Sequence, residues 1–527
     1  MRPVTIVREV VFDLFRNHEI STIFGNPGST ELPMLNRFPD DFRYILGLQE
    51  AVVVGLADGY AQASGTTSLV NLHTSAGLGN AMGAIINAAA NRTPMVVTAG
   101  QQVRAMMTLE ALLTNVNATT VPQPAVKWAY EPPRPQDVPA SLARAFHMAA
   151  TPPMGPVFVS LPMDDFDVEI DAAEVIRRKI TSRTAPLPEA ITAVADRLQQ
   201  ASNPVLVLGG DVDVSGAWES AVTLAERCAL PVWAAPLEGR AGFPQDHPQF
   251  RGFLQPVIPM LSAQLAGHDL ILVIGAPVFR YYPYLPGDYL PAGSELIHIT
   301  SDPDEAAKAP VGEAIVGDVR LALEALAKET MPAGRQPTGA RPAPQEAVPG
   351  RMTPVEVFAA LADSVPQNAI WVNESPSNAP IFQDQVRIGR PNSYLFTQGG
   401  GLGFGLPAAV GAQLAKPERP VIAVMGDGSV HYAVPALWTA AHYKVPLTII
   451  VLTNREYAIL KWFGHLEHVD GIPGLDIPGI DICAIATGYG VPARHVNSIE
   501  ELRAALGERP EGPRLIEVPI STVLPKI

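Results

Sequence analysis

The sequence predicts an α/β protein made of three doubly wound parallel-sheet domains. Short apolar runs bounded by Gly, Pro or Asp alternate with helical stretches along the chain. The runs are continuously apolar, as strands covered by helices on both faces must be. The 527 residues suggest three or four domains at about 150 residues each.

The elements justify this in order. In the first domain, residues 1–180, strands are expected at Tyr44–Leu48, Ser68–Leu72 and Met95–Thr98, with a helix at Ala51–Ala63. A boundary falls near Ala172–Pro188, where charged and Pro-containing residues precede another helix. The middle domain, residues 181–335, has strands at Val205–Leu208, Leu270–Ile274 and Leu296–Ile299. Its Gly209-Gly210-Asp211 and Gly275-Ala276-Pro277 read as ordinary tight turns, because no full GxGxxG is present. Met331–Gly350 is rich in Pro, Gly, Ala and Gln without a hydrophobic period, which predicts an extended linker over residues 336–350. The third domain, residues 351–527, opens at Thr353-Pro354-Val355-Glu356, an N-cap, a Pro at the first helical position and a Glu to complete a capping box. Its strands are Val421–Met425 and Leu447–Leu452.

Composition excludes several classes. Hydrophobic residues at 47% and charged residues at 17% fit a folded chain. A net charge of −15 argues against nucleic acid as the main partner. The two cysteines, Cys228 and Cys483, lack metal-ligand spacing and a disulfide framework, which fits a reducing cytoplasm. Arg8, Glu9, Asp13 and Arg16 break up any signal-peptide core, and no run approaches the roughly 20 apolar residues of a membrane span.

Gly-rich strand-to-helix turns are expected at His73–Asn80, Gly399–Gly405 and Gly426–Ser429. In open α/β sheets such turns lie at the carboxyl ends of strands, where ligands bind. The last carries the clearest chemistry. The strand Val421–Met425 runs into Gly426-Asp427-Gly428-Ser429, and a helix containing Trp438 follows. Free N–H groups at a helix start suit phosphate, and a carboxylate at a strand tip can hold Mg²⁺ or Ca²⁺. Asn454 ends the next strand, 27 residues on. One helix and one strand fill that gap, which sets the two strand tips side by side. Asp427, Asn454 and the main-chain carbonyl of Glu456 then form a candidate metal site. The plain alternative is a surface turn.

These residues resemble the cofactor motif of thiamine diphosphate-dependent enzymes, although Thr453 stands where an Asn usually precedes Asn454. The resemblance runs nearly end to end. It covers Phe24-Gly25-Asn26-Pro27-Gly28-Ser29, Gln49-Glu50-Ala51, Ala57–Ala61, Asn71-Leu72-His73, Glu110–Asn115 and Pro277–Tyr281. Among 2-keto acid decarboxylases it looks most like the benzoylformate decarboxylases. It implies a pyrimidine-binding first domain, a structural middle domain and a diphosphate-binding third domain. It also implies active sites between subunits of a homotetramer, and a place in mandelate breakdown.

The resemblance assigns roles residue by residue. Glu50 would hydrogen-bond the aminopyrimidine ring. Gly400 would accept from its exocyclic amine, and Leu402 would bend the cofactor. Asn26, Pro27, Gly426, Gly428, Ser429 and Tyr457 would complete the cofactor site. His73 is the leading proton donor and acceptor. Ser29 resembles the residue that binds the substrate carboxylate; its plain alternative is a helix N-cap for the segment from Thr30, and both roles are compatible. Tyr282 departs from the pattern, since a second catalytic histidine is expected after Arg280-Tyr281. A phenol that ordinarily titrates near pH 10 is a donor at neutral pH rather than an imidazole-like acid and base. That departure points toward carboligation as a side activity. Leu112, Leu113, Pro376, Phe396, Thr397, Ile459, Leu460 and Phe463 fall at or near pocket positions, and their apolar character suits an aryl or alkyl group.

Two other readings stay open here. An acetolactate synthase-like carboligase shares the overall pattern but would carry no His at His73 and a flavin in the middle domain. A non-catalytic nucleotide-binding α/β protein would need neither Glu50 nor His73.

Overall fold

The computed structural model describes residues 4–171, 178, 180–507 and 509–521. The expected boundary at Ala172–Pro188 therefore falls partly outside the described residues. A short antiparallel pair joins β1 (Val4–Ile6) to β8 (Glu169–Asp171). The first large sheet holds β2 (Thr22–Gly25), β3 (Arg43–Leu46), β4 (Ser68–Leu72), β5 (Met95–Gln101), β6 (Ala129–Tyr130) and β7 (Pro156–Pro162). Their order is β3-β2-β4-β5-β7-β6, all parallel. The second holds β9 (Val205–Leu208), β10 (Val232–Ala234), β11 (Phe250–Phe253), β12 (Leu270–Ile274), β13 (Glu295–Thr300) and β14 (Glu313–Val316), ordered β11-β10-β9-β12-β13-β14 and also parallel. The third runs β15 (Ile370–Glu374), β17 (Val421–Gly426), β18 (Thr448–Thr453), β20 (Arg514–Pro519), β19 (Ala493–His495). β16 (Tyr394–Leu395) is short.

By its contacts the chain divides into two units. One comprises Met1–Thr181, Trp371–Ser377 and Thr397–Ile527, and so contains the first and third sheets. The other comprises Ser182–Ile370 and Asn378–Phe396, with the second sheet. β5 is buried along its whole length, as a helix-covered parallel strand requires.

Within the first unit, the helices Glu50–Ser64 and Gly405–Ala415 pack face to face. Glycines make this possible. A Cβ at Gly59 would overlap the Ala408 backbone, and one at Gly411 would overlap the Leu56 carbonyl. Hydrogen bonds also tie the two sheets: Tyr443 Oη donates to the Tyr44 carbonyl (3.0 Å) and accepts from Leu46 N (2.9 Å).

Several local expectations need correction. The turn expected over His73–Asn80 is a helix, Thr74–Ala90, and His73 is its N-cap residue. Gly77 sits inside it because a Cβ there would press within 3.2 Å of Glu50 Cγ. Ser29 does not cap a helix; the next helix is Leu32–Leu35, with Glu31 at the N-cap. The single helix expected after Gly426–Ser429 is broken into Asp427–Val430 and Ala436–His442. The capping box at Thr353 is half made. Thr353 accepts from Glu356 N, but the Glu356 carboxylate reaches past it to the N–H groups of Gly350, Arg351 and Met352. Residues 336–350 carry no helix or strand; Arg341 pins them to the carbonyls of Gln245 and Gln383.

Candidate active site

The first sheet reverses its winding between β2 and β4, and ligands of doubly wound folds bind beyond the carboxyl ends of strands at such a switch. Asn26, Pro27, Gly28 and Ser29 leave the tip of β2, and His73 leaves the tip of β4. Glu50 opens the helix Glu50–Ser64, whose N-cap residue Gln49 accepts from Val52 N at 3.0 Å. Two amides hold the half-buried Glu50 carboxylate: Asn26 Nδ2 donates to Oε1 at 3.2 Å and Asn80 Nδ2 to Oε2 at 3.1 Å. Pro27 and Ser29 are exposed.

His73 has a partner that sequence reading missed. Its Nδ1 lies 2.9 Å from Glu31 Oε2 and 3.2 Å from Thr30 Oγ1. Glu31 is fully buried, with a side-chain exposure of 0% against 22% for His73. Buried carboxylates must be satisfied, and this one accepts from Gly28 N, Gly100 N and Thr30 Oγ1, each at 2.8 Å. The chain comes so close that a Cβ at Gly28 would fall inside the His73 ring. With Nδ1 turned to Glu31, the imidazole presents Nε2 for chemistry.

The third sheet carries the other cluster. β17 and β18 are parallel neighbours, with Gly426 opposite Leu452, so Asp427 and Asn454 stand side by side as expected. Asp427 is buried, and burial pushes its carboxyl up. Three N–H groups hold it down, from Arg455 (2.6 Å), Gly428 (2.9 Å) and Asn454 (3.1 Å). Asn454 Oδ1 accepts from Glu456 N at 3.2 Å. Lys461 pairs with the Glu456 side chain and with Asp476. The Tyr457 ring closes over the turn, so a Cβ at Gly428 would meet it at 2.6 Å. Burial, then Tyr432, push the Tyr457 phenol up. The carboxylate and amide oxygens make a hard donor set that suits Mg²⁺ or Ca²⁺, and Gly426, where a Cβ would meet nothing nearer than Ser429 Oγ at 3.5 Å, leaves room for a phosphate group against backbone.

Glu374, also missed, supports the glycine loop. At the end of β15 it accepts from Gly403 N (2.7 Å), Phe404 N (3.1 Å) and Gly405 N (2.9 Å). Gly400 adopts φ +71°, and Asn87 Nδ2 donates to the Gly401 carbonyl at 2.9 Å. Leu402 is half-buried and Ser429 buried.

The expected pocket residues are spread out. Leu112 and Leu113 follow the short helix Arg104–Met107, and Leu112 is 86% exposed. Ile459, Leu460 and Phe463 lie on the helix Ala458–Leu466, with Leu460 exposed. Pro376 opens a 3-10 turn after β15, and Thr397 is buried. Phe396 and the exposed Tyr282 belong to the other unit, where Tyr282 N donates to the Pro256 carbonyl at 2.7 Å. No hydrogen bond or ion pair among the described residues links the Glu50–His73 cluster to the Asp427–Asn454 cluster.

Residues 6–120 match the N-terminal TPP binding domain of thiamine pyrophosphate enzymes, residues 191–326 their central domain and residues 378–518 their C-terminal TPP binding domain. A benzoylformate decarboxylase of Pseudomonas aeruginosa is 49% identical, covering 98% of this chain and 99% of that protein. The chain belongs to the thiamine diphosphate-dependent 2-keto acid decarboxylases. The structure of a thiamine diphosphate-dependent 4-hydroxybenzoylformate decarboxylase of Rhodococcus jostii RHA1 agrees with a TM-score of 0.96 at 46% identity, over 98% of this chain and 100% of that one. A probable acetolactate synthase large subunit of Methanocaldococcus jannaschii is more distant, 28% identical over 95% of this chain and 89% of its own length. This decarboxylase uses thiamine diphosphate with a divalent metal, and the two clusters fit that pair by their donors.

Proposed function

We propose that the substrate is an aryl glyoxylate of the benzoylformate type, converted to the aldehyde and CO₂. The observation that carries this is the 49% identity to a benzoylformate decarboxylase across 98% of the chain. The acetolactate synthase-like alternative is weaker, because His73 is present with a dedicated carboxylate partner. The non-catalytic alternative falls with the family.

When bound, thiamine diphosphate would supply the nucleophilic carbon and the electron sink that decarboxylation of a 2-keto acid needs. The residues do the rest. Glu50, held by Asn26 and Asn80, exchanges a proton with the aminopyrimidine ring. The Gly400 carbonyl would accept from the exocyclic amine, and Leu402 would support the bound cofactor. Asp427, Asn454 and the Glu456 carbonyl would hold the metal, Gly426, Gly428, Ser429 and Tyr457 would line the diphosphate, and Asn26 and Pro27 would meet the cofactor from the first domain. Ser29 binds the substrate carboxylate, His73 moves a proton at Nε2, and Tyr282 donates a hydrogen bond. Leu112, Leu113, Pro376, Thr397, Ile459, Leu460 and Phe463 are the candidates to meet the aryl group. The functional domains are residues 1–180, 181–335 and 351–527, and the assembly is a cytoplasmic homotetramer serving mandelate breakdown.

The test is a decarboxylation screen over aryl, branched and linear 2-keto acids, with wild type and Tyr282→His. Benzoylformate should rank first, and the variant should gain turnover on it and lose carboligation. A preference for linear keto acids would remove the substrate assignment; an unchanged variant would remove the account of Tyr282.

A further inference from the structure

Glu517 lies inside β20, within the apolar run Leu515, Ile516, Val518, and its side chain is 7% exposed. A buried carboxylate in such a run is costly unless it is bound. One oxygen is satisfied, Oε1 accepting from Thr453 Oγ1 at 3.1 Å. The other, Oε2, is buried and makes no aligned hydrogen bond among the described residues. It lies 3.2 Å from Nδ1 of His495, the in-register neighbour of Glu517 across β19 and β20. In-register positions on neighbouring parallel strands point to the same face, and the helix Ile482–Gly488 lays Cys483 over that face. Cys483 Sγ, a ring nitrogen of His495 and a Glu517 oxygen all lie within 4.8 Å of one another.

We propose that Cys483, His495 and Glu517 form a zinc site separate from the Asp427–Asn454 metal anchor. Thiolate, imidazole and carboxylate match the S, N and O preference of Zn²⁺, whereas Mg²⁺ takes oxygen. Zinc bonds of roughly 2.0–2.3 Å place tetrahedral ligand atoms about 3.3–3.7 Å apart, close to the His495–Glu517 spacing. Thiolate and carboxylate together neutralise the ion, which removes the cost of burying Glu517 alone. His495 is 54% exposed on its side chain, so the site opens to solvent there and water takes the fourth position. Zinc displaces the Cys483 proton into solvent. Burial, then Glu517, push that thiol up to about 12, so binding strengthens as pH rises.

The holoenzyme, loaded with thiamine diphosphate and Mg²⁺, is titrated with Co²⁺ as spectroscopic probe and then with Zn²⁺ against a chromophoric chelator. The expected result is one equivalent bound, with a thiolate-to-cobalt band in the near ultraviolet. Cys483→Ser should abolish the band, His495→Ala should weaken binding about a hundredfold, and Cys228→Ser should keep it. Because His495 is exposed, its variant stays folded even if Cys483→Ser does not. A wild type without the band, a band that survives Cys483→Ser, or full affinity in His495→Ala overturns the proposal.

Discussion

At the scale of single residues, Glu31 is the most informative side chain. It holds Nδ1 of His73 without facing the cleft itself, which makes it a positioning residue. General acid–base groups contribute about 10²–10⁴-fold, so misaligning His73 without removing it should lower kcat about tenfold to a hundredfold. Glu31→Gln keeps an acceptor for Gly28 N and Gly100 N, and KM should change little. Glu31→Gln added to His73→Ala should cost nothing further, since both act through one imidazole. If the two losses multiply in kcat, Glu31 acts elsewhere. Glu50, His73, Asp427 and Asn454 were legible because each sits at a strand tip or helix start, within a motif that the family resemblance covers. Glu31 was not, because the segment from Thr30 reads as the start of a helix, where an acidic residue is ordinarily solvated. Its burial comes from Gly100, at the end of β5 and distant in sequence.

At the scale of elements, Glu374 governs the start of the helix Gly405–Ala415. Burial pushes its carboxyl up to about 7, against three backbone N–H groups that hold it down. In the unfolded chain it titrates near the ordinary carboxylate value of about 4.3. Between those pH values the folded protein carries a proton that the unfolded chain has lost. This group's contribution is therefore full at low pH and falls as pH rises through that window, by a few kcal/mol on the order of the shift. Glu374→Gln cannot titrate. The Tm difference between apo wild type and apo Glu374→Gln should shift by several degrees in favour of the variant from pH 5 to pH 7.5. A difference independent of pH sinks this account. The strands named from the sequence were readable to within three residues, because parallel strands are short apolar runs; the largest miss is β5, which runs on from Thr98 to Gln101. The glycines of Thr74–Ala90 misled, since glycine marks close approach as well as turns. Gly77 makes room for Glu50 inside a helix rather than ending one.

At the scale of the whole molecule, the two halves of the catalytic machinery stand as separate clusters, and Leu112, a large apolar side chain, is 86% exposed. Strand tips are read locally whereas assembly depends on faces distant along the chain, so only the family resemblance, which implies active sites between subunits, pointed to this separation. An arrangement in which Glu50 of one subunit serves Asp427 of another reconciles it. A symmetric dimer then has two equivalent sites, each built from both chains. Glu50→Gln and Asp427→Asn should each be inactive alone. In a mixed dimer, one site collects both defects and the other collects none. Random exchange of subunits should therefore restore about a quarter of wild-type activity, because about half the dimers are mixed and each has one intact site. Co-expression tests this directly: the unfractionated mixture should show about a quarter of wild-type activity and the isolated mixed dimer about half. Activity that stays at the level of the single variants would mean that each chain completes its own site.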